Sequence, residues 1–268
     1  MRTFLTRAGK LARVLLFIHL TPLKIFAILN SMTEPIRKES MNVPAAKLPV
    51  MPQLEDFRSS FHWRVFRIMA EFIDGFQFLA DFKKTVTFFG SARFQEGYRW
   101  YEEARKLGQL LGAAGFGVIT GGGPGIMEAG NRGAVDANGE SIGLNIKLPY
   151  EQRTNAYVKK GIGFHYFFVR KVMLSYAAQA YCYFPGGFGT LDEFFELATL
   201  IQTKKIPFNI PVILIGKEFW GPLIEWIDKE MYGKFKAIDK EDQKIYVLVD
   251  SAEEAFEVIK NSPQRTEF

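Results

Sequence analysis

An alternation of short apolar runs and amphipathic helical segments begins at Lys83, and it constrains the fold of this chain more than any other feature. The predicted strands are residues 85–90, 117–120, 141–146, 180–186, 211–216 and 244–249. The predicted helices are residues 98–114, 125–137, 167–179, 190–203, 219–232 and 252–260, the last opening with Ser251 and Glu254 at capping-box spacing. Strands separated by helices of this length predict parallel βαβ units, and strands that are apolar nearly throughout indicate a sheet covered on both faces. The sequence therefore predicts an α/β fold, an open doubly wound parallel sheet of the Rossmann-like type.

Two further parts precede this predicted sheet domain at 83–268. Residues 54–82 have a helical pattern of apolar positions, which we expect Gly75 to break into two pieces. We interpret them as a helical arm that packs on the body or on a second subunit. Residues 1–53 are interpreted as an N-terminal extension that ends in a proline-containing linker.

Composition excludes several classes of protein. Hydrophobic residues make up 48% of the chain, so global disorder is excluded. The single cysteine, Cys182, excludes an intrachain disulfide framework and a cysteine-based zinc site, and the three histidines are too scattered to indicate a metal site. The net charge of +5 comes from residues 1–33, which hold five basic residues and no acid, while the remaining 29 basic residues balance the 29 acidic ones. A basic face for nucleic acid is therefore not indicated.

The N-terminal segment leaves three interpretations open. Pro22 and Lys24 interrupt residues 14–29, so no run reaches the roughly 20 apolar residues of a spanning helix, and no clear signal-peptide cleavage site follows. The segment is a translated stretch upstream of a true start at Met32, Met41 or Met51, or a basic amphipathic segment that contacts a membrane through residues 1–30, or a helix packed on the body. We expect residues 1–40 to be dispensable for folding and activity, and the protein to be cytoplasmic.

A glycine-rich turn joins the strand at 117–120 to the next helix. Backbone N–H groups at such a helix start face an anion, whereas the alternative is a tight turn that needs glycine for positive φ. The Walker pattern fails because Ile126 and Met127 replace its Lys and Ser or Thr, and the dinucleotide fingerprint fails because Lys147 follows the next strand in place of an acid. A mononucleotide or sugar phosphate fits this turn better, with candidate binding residues Gly121, Gly122, Gly123 and Gly125.

A second glycine-rich turn, Pro185 to Gly189, follows the strand at 180–186 and opens another helix. Thr190 and Glu193 have capping-box spacing, which is the structural interpretation of both, but capping does not account for three glycines and a proline just before them. Arg170 and Lys171 lie on the preceding helix. They are either a solvated basic pair or a site for a specific anion, since Arg suits bidentate contact with phosphate or carboxylate.

The combination of GGGPGIMEA, the Arg170–Lys171 pair and PGGFGTLDE resembles the LOG family of cytokinin riboside 5′-monophosphate phosphoribohydrolases and related nucleotide 5′-monophosphate nucleosidases, formerly misnamed lysine decarboxylases. The resemblance covers roughly residues 83–235, and its most specific part is the PGGxGTxxE motif. Residues 89–93 and 148–152 are similar to the longer bacterial branch of the family.

The resemblance implies roles for individual residues. The family's catalytic pair falls on Arg170 and Glu193, where Arg170 either binds phosphate or orients Glu193. Asp192 departs from plant members, which usually carry Glu at this position. Predicted substrate contacts, including those of both glycine-rich turns, are Gly121, Gly122, Gly123, Gly125, Glu151, Lys171, Gly186, Gly187, Phe188, Gly189, Thr190, Leu191, Asp192 and Thr199.

The resemblance implies a nucleotide-binding hydrolase that cleaves the N-glycosidic bond of a nucleoside 5′-monophosphate, such as AMP or a cytokinin riboside monophosphate, to free base and ribose 5-phosphate. A carboxylate suits this chemistry, because it stabilises positive charge on the ribose and activates water. No metal or redox cofactor is expected, and the expected partners are the substrate and a second subunit in a homodimer or larger assembly.

Two other functions remain as alternatives. The first is a non-catalytic nucleotide or cofactor carrier on the same fold, which has no need of a carboxylate beside a phosphate cradle. The second is an amino-acid decarboxylase, which needs a pyridoxal-binding lysine in a recognisable setting, and the sequence shows none.

Overall fold

The computed structural model of the protein describes residues 58, 60–147 and 154–263. The strands in this part of the chain are β1 (Thr85–Phe89), β2 (Gly117–Thr120), β3 (Ser141–Ile146), β4 (Lys160–Phe164), β5 (Ala180–Tyr183), β6 (Val212–Ile215) and β7 (Tyr246–Val249). The α-helices are α1 (Phe61–Leu79), α2 (Arg99–Ala113), α3 (Ile126–Asp136), α4 (Phe167–Tyr176), α5 (Phe188–Gln202), α6 (Lys217–Trp226) and α7 (Ala252–Lys260). A π-helix, Ile227–Lys234, continues α6, and a short 3₁₀ helix, Lys240–Lys244, precedes β7.

The strands form one sheet in the order β4-β3-β2-β1-β5-β6-β7, and every neighbouring pair is parallel. The chain fills one half of the sheet from β1 outward to β4, then returns to the middle and fills the other half from β5 to β7. This confirms the predicted doubly wound Rossmann-like sheet. The order reverses between β1 and β5, and crevices at such a reversal are where ligands bind in open α/β sheets.

Both faces of the sheet are covered, as the apolar strands predict. Consecutive strand residues point to opposite faces: Ile119 belongs to the core on the side of α1, α4, α5 and α6, while Val118 belongs to the core beneath α2, α3 and α7. Tyr181 and Cys182 divide in the same way on β5. Every residue of β1, β2, β5 and β6 is buried, so these strands form a rigid base for the loops at their carboxyl ends.

The structure corrects the expectation that Gly75 breaks the helical arm. Helix α1 runs without interruption from Phe61 to Leu79, with Ser60 as its N-cap. Gly75 is buried, and a Cβ at this position would lie 2.7 Å from Met173 Sδ and 3.1 Å from Phe164 Cε1. The glycine therefore permits close packing of α1 against α4 and β4 rather than ending the helix.

Two elements differ from the patterns in the sequence. Strand β4 was not predicted, because its sequence KGIGF contains two glycines and only Phe164 is buried; it pairs with β3 at the edge of the sheet. The helix predicted at 219–232 starts at Lys217 and changes to π geometry at Ile227. In the predicted capping box of α7, the Ser251 hydroxyl accepts from Glu254 N at 3.2 Å, but the Glu254 carboxylate accepts from Asp250 N instead of the N-cap N–H.

The predicted extension at 1–53, with its three interpretations, and the candidate contact Glu151 lie outside the described residues. Across residues 60–147 and 154–263, no helix combines the length and the apolar character needed to cross a membrane.

Candidate functional site

A cleft of about 850 Å³ opens at the carboxyl ends of β1, β2 and β5, where the strand order reverses. Its floor and sides come from the turns after these strands, from Arg170 on α4 and from the first turn of α6. The turns are tied together, since Ser91 N donates to Pro185 O at 3.0 Å and Phe184 N donates to Phe89 O at 2.9 Å. A cleft therefore lies just beyond the strand ends, where the sequence predicts the site.

The second glycine-rich turn and the start of the helix after it contribute about a third of the residues that line the cleft, namely Pro185, Gly186, Gly187, Phe188, Gly189, Thr190, Asp192 and Glu193. Helix α5 begins here with Gly187 as N-cap, and no side chain caps it. The structure thus corrects the capping-box interpretation, because Thr190 already lies inside the first turn. A Cβ at Gly187 or Gly189 would meet nothing within 4 Å, so both glycines face open space at a positively polarised helix start.

Packing explains most of the first glycine-rich turn. Gly122 and Gly125 have φ angles of 72° and 71°, and a Cβ on either residue would collide, with the Asn145 side chain and with Ser91 O respectively. Ile126 N at the start of α3 already donates to Ser91 O at 3.0 Å. Of the four candidate glycines in this turn, the cleft is lined by Gly121 alone; the turn geometry accounts for Gly122 and Gly125, and contact with Met127 accounts for Gly123.

Glu193 lies at the cleft wall with only 8% of its surface exposed. Within the described residues, its Oε2 atom is buried without a hydrogen-bond partner. Burial raises the pKa of Glu193 to about 7. The positive charges of Lys171 and Arg170 oppose this rise, and the negative charges of Glu196 and Asp192 add to it. A carboxyl group that titrates near neutral pH beside a cleft has the properties of a general base.

Arg170 projects from α4 into the same cleft. Its Nε donates to Leu144 O at 2.7 Å, its guanidinium lies 5.7 Å from the Phe167 ring centroid, and a Cβ at Gly121 would collide with it. Burial lowers the pKa of Arg170, and the Glu193 carboxylate opposes that shift, so the two groups are close enough to interact. The structure therefore brings together Arg170 and Glu193, which are 23 residues apart in the sequence.

Three other candidate residues do not line the cleft. Lys171 Nζ is engaged by Asp192 Oδ2 at 2.6 Å and Glu196 Oε2 at 3.1 Å. Thr199 is exposed near the other end of α5, and its hydroxyl donates to Phe195 O at 2.7 Å. Leu191 packs against the apolar core.

Sequence reasoning missed a second set of cleft residues. Those with polar or aromatic side chains are Phe88, Phe89, Ser91, Arg93, Phe94, Tyr98, Trp100, Phe167, Glu218 and Phe219. Ser91 and Arg93 follow β1 directly, and Glu218 follows β6, so the rule that sites lie beyond strand ends was a signal for them. The aromatic residues had no comparable signal, since a chain with 26 Phe offers many candidates.

The fold and the cleft define a Rossmann-like α/β protein with an open cleft at the switch point of its sheet, the place where such folds bind small molecules. A family model described as possible lysine decarboxylase matches residues 127–259. This match and the curated relatives support the resemblance to the LOG family that the motifs indicate.

Known proteins support this assignment at modest identity. A probable cytokinin riboside 5′-monophosphate phosphoribohydrolase of Oryza sativa subsp. japonica is 29% identical over 160 residues, which cover 58% of this chain and 63% of the relative. A second such enzyme from the same organism is 29% identical over 182 residues, covering 65% and 71%. Among solved structures, the molybdenum cofactor binding protein of Rippkaea orientalis superposes with a TM-score of 0.50 at 21% identity, covering 66% of this chain and 96% of that one. The last likeness shows the fold alone.

Proposed function

We propose that this protein hydrolyses the N-glycosidic bond of a nucleoside 5′-monophosphate, releasing the free base and ribose 5-phosphate. The substrates that we propose are AMP and cytokinin riboside monophosphates, because relatives 29% identical to this chain are named for activity on the latter. The observation that carries the proposal is the buried Glu193 carboxylate, which has an unpartnered oxygen beside Arg170 in an open cleft.

The amino-terminal end of α5 is the proposed phosphate site. Its N-cap residue, Gly187, has no side chain to satisfy the first N–H groups of the helix, and the space around Gly187 and Gly189 is open. A phosphate there would accept backbone hydrogen bonds and lie in the favourable field of the helix dipole. Arg170 and Arg93 supply positive charge in the same cleft.

Glu193 is the proposed catalytic carboxylate. In its ionised form it would accept a proton from water as the water oxygen bonds to ribose C1′. The bond from C1′ to the base nitrogen breaks, its electron pair leaves with the base, and the proton passes to that nitrogen. The developing positive charge on the ribose would be stabilised by the same carboxylate. Binding of the remote phosphate would hold the ribose in place for this attack.

A carrier function and a decarboxylase function are the competing proposals. The likeness to a molybdenum cofactor binding protein is compatible with a carrier, but a carrier has no use for a carboxylate poised near neutral pH. A pyridoxal-dependent decarboxylase needs a lysine in the site, and the described residues that line the cleft include none.

The test compares wild type with Glu193→Gln and Arg170→Ala, measuring base release by chromatography and AMP affinity by calorimetry. Glu193→Gln should bind AMP nearly as well as wild type but release base at least about a hundredfold more slowly, the scale expected for a lost acid–base group. Arg170→Ala should weaken both binding and turnover. Glu225→Gln is the control, since it removes an exposed carboxylate of α6 that does not line the cleft.

The outcomes separate the competing functions. Near-normal base release by Glu193→Gln would contradict the proposed mechanism. Tight AMP binding by wild type without any base release would instead favour the carrier. Pyridoxal absorbance in the purified protein, with release of carbon dioxide from an amino acid, would favour the decarboxylase.

A further inference from the structure

The start of α4, the helix that carries Arg170, is held by a side chain from a distant part of the chain. Glu71 lies on α1, and its two carboxylate oxygens accept from His165 N at 2.8 Å and Tyr166 N at 3.0 Å. Tyr166 is the N-cap residue of α4 and makes no cap with its own side chain. Glu71 thus satisfies backbone donors at a helix start from 94 residues away in the sequence.

The position of Glu71 is fixed by its neighbours along α1. Arg67, Glu71 and Gly75 are spaced four residues apart and therefore lie on one stripe of the helix. The Arg67 guanidinium lies 6.0 Å from the Tyr166 ring centroid, and Gly75 is in close contact with Met173 of α4. Arg67, Glu71 and Gly75 all contact the region where β4 leads into α4. The Glu71 carboxylate therefore cannot shift unless α1 moves as well.

Arg170 follows this junction by one helical turn. Its backbone N donates to Tyr166 O at 3.2 Å, which is the first hydrogen bond of α4. Its side chain is confined between Leu144 O and Gly121. A small displacement of the start of α4 would therefore carry the guanidinium away from this slot and from Glu193, and misplacements of about 1 Å in a site are known to be costly.

We propose that Glu71 is a positioning residue of the site: by clamping the start of α4, it holds Arg170 in the cleft. That the position of Arg170 matters for catalysis rests on the proposed function. That Glu71 holds the start of α4, and with it Arg170, does not. The arm would then be part of the active-site scaffold.

The first test is independent of any nucleotide. In Glu71→Ala, hydrogen exchange measured by NMR should be about tenfold faster at the His165 and Tyr166 amides and at the Arg170 Nε–H, because charged hydrogen bonds of this kind protect their donors. Asp74→Ala removes an exposed carboxylate from the same helix and should leave all three rates unchanged. Unchanged exchange at Arg170 Nε–H in Glu71→Ala would overturn the proposal.

The second test is a double-mutant cycle on AMP affinity and on kcat and KM. Glu71→Ala should weaken AMP binding about tenfold in wild type, yet less than about twofold in an Arg170→Ala background, because the effect passes through Arg170. Equal losses in both backgrounds would overturn the proposal. Glu71→Gln keeps one acceptor oxygen, so its AMP affinity should lie between those of wild type and Glu71→Ala. A wild type that neither binds nor cleaves AMP would refute the proposed function, and the exchange rates would still decide whether Glu71 positions Arg170.

Discussion

At the scale of single residues, the proposed site centres on Glu193, a buried carboxylate at the wall of the cleft. Glu193 lies on a helix whose neighbours include two other acids, Asp192 and Glu196, and both of these pair with Lys171. The Oε2 atom of Glu193, by contrast, accepts no hydrogen bond from any described residue. Lys171 therefore acts at a distance in this structure, by lowering the Glu193 pKa against the effect of burial.

The raised pKa predicts how activity depends on pH. If Glu193, with its pKa of about 7, acts as the proposed ionised base, kcat/KM should fall about tenfold per pH unit below this value and level off above it. A pH series of base release from AMP between pH 5 and 9 measures this. The residual kcat/KM of Glu193→Gln should show no such fall at low pH. An unchanged fall in that variant would assign the titration to another group.

The same shift predicts an opposite dependence for stability. The folded state holds the Glu193 proton more tightly than the unfolded chain, so the stability from this group is complete below pH about 4.5 and is lost as the pH rises through about 7. Above that pH the buried charge should cost on the order of 3 kcal/mol. Urea unfolding at pH 5 and pH 8 should show Glu193→Gln gaining stability over wild type at pH 8 only. A gain of equal size at both pH values would contradict this assignment.

At the scale of elements, helix α1 has two apolar faces with different environments. Ile68, Phe72 and Leu79 pack on the core of the sheet domain, whereas Phe66, Met69, Ile73 and Phe76 form an exposed stripe at helical spacing. The helix is therefore integrated into the domain through one face and available for contact through the other. Of the two alternatives left open by the sequence, packing on the body is therefore observed. Packing on a second subunit stays a prediction.

The close packing around Gly75 predicts how a larger residue at this position changes stability. Alanine favours helix by about 1 kcal/mol over glycine, but its methyl group would press on Met173 and Phe164, which are fully buried and have no room to move. Overpacking of this kind usually costs about 1–3 kcal/mol, so after the helix gain Gly75→Ala should lower the free energy of unfolding by up to about 2 kcal/mol. Gln77→Ala, at an exposed position of the same helix, should change it by less than about 0.5 kcal/mol. A stabilised Gly75→Ala would show that α1 is free to move away from α4.

At the scale of the whole molecule, we expect a homodimer or larger assembly in which the exposed stripe of α1 is covered. Phe66 and Ile73 are 62% and 61% exposed, and contiguous exposed apolar surface of this kind marks association sites. Light scattering should show a dimer at micromolar concentration for wild type and a monomer for the double variant Phe66→Ser, Ile73→Ser. The matched control is Phe235→Ser, which removes an equally exposed ring elsewhere and should remain dimeric. A monomeric wild type would contradict the expectation.

The sequence by itself determined the class of fold and the motifs of the candidate site. Local sequence patterns predicted six of the seven described strands, the helices between them and the glycine turn before Glu193. This was possible because apolar periodicity and turn-forming residues depend only on positions close together in the sequence. Strand β4 left no such signature, since an exposed edge strand with two glycines lacks an apolar pattern.

Only the tertiary structure decided how these residues act together. It separated the glycines required by backbone geometry, such as Gly122, from Gly187, which faces open space, and it turned Lys171 toward Asp192 and Glu196. It also buried Glu193 and placed Glu71 at the start of α4. These are contacts between distant segments, and a pKa or a helix position depends on what surrounds a residue in space, which local patterning does not specify.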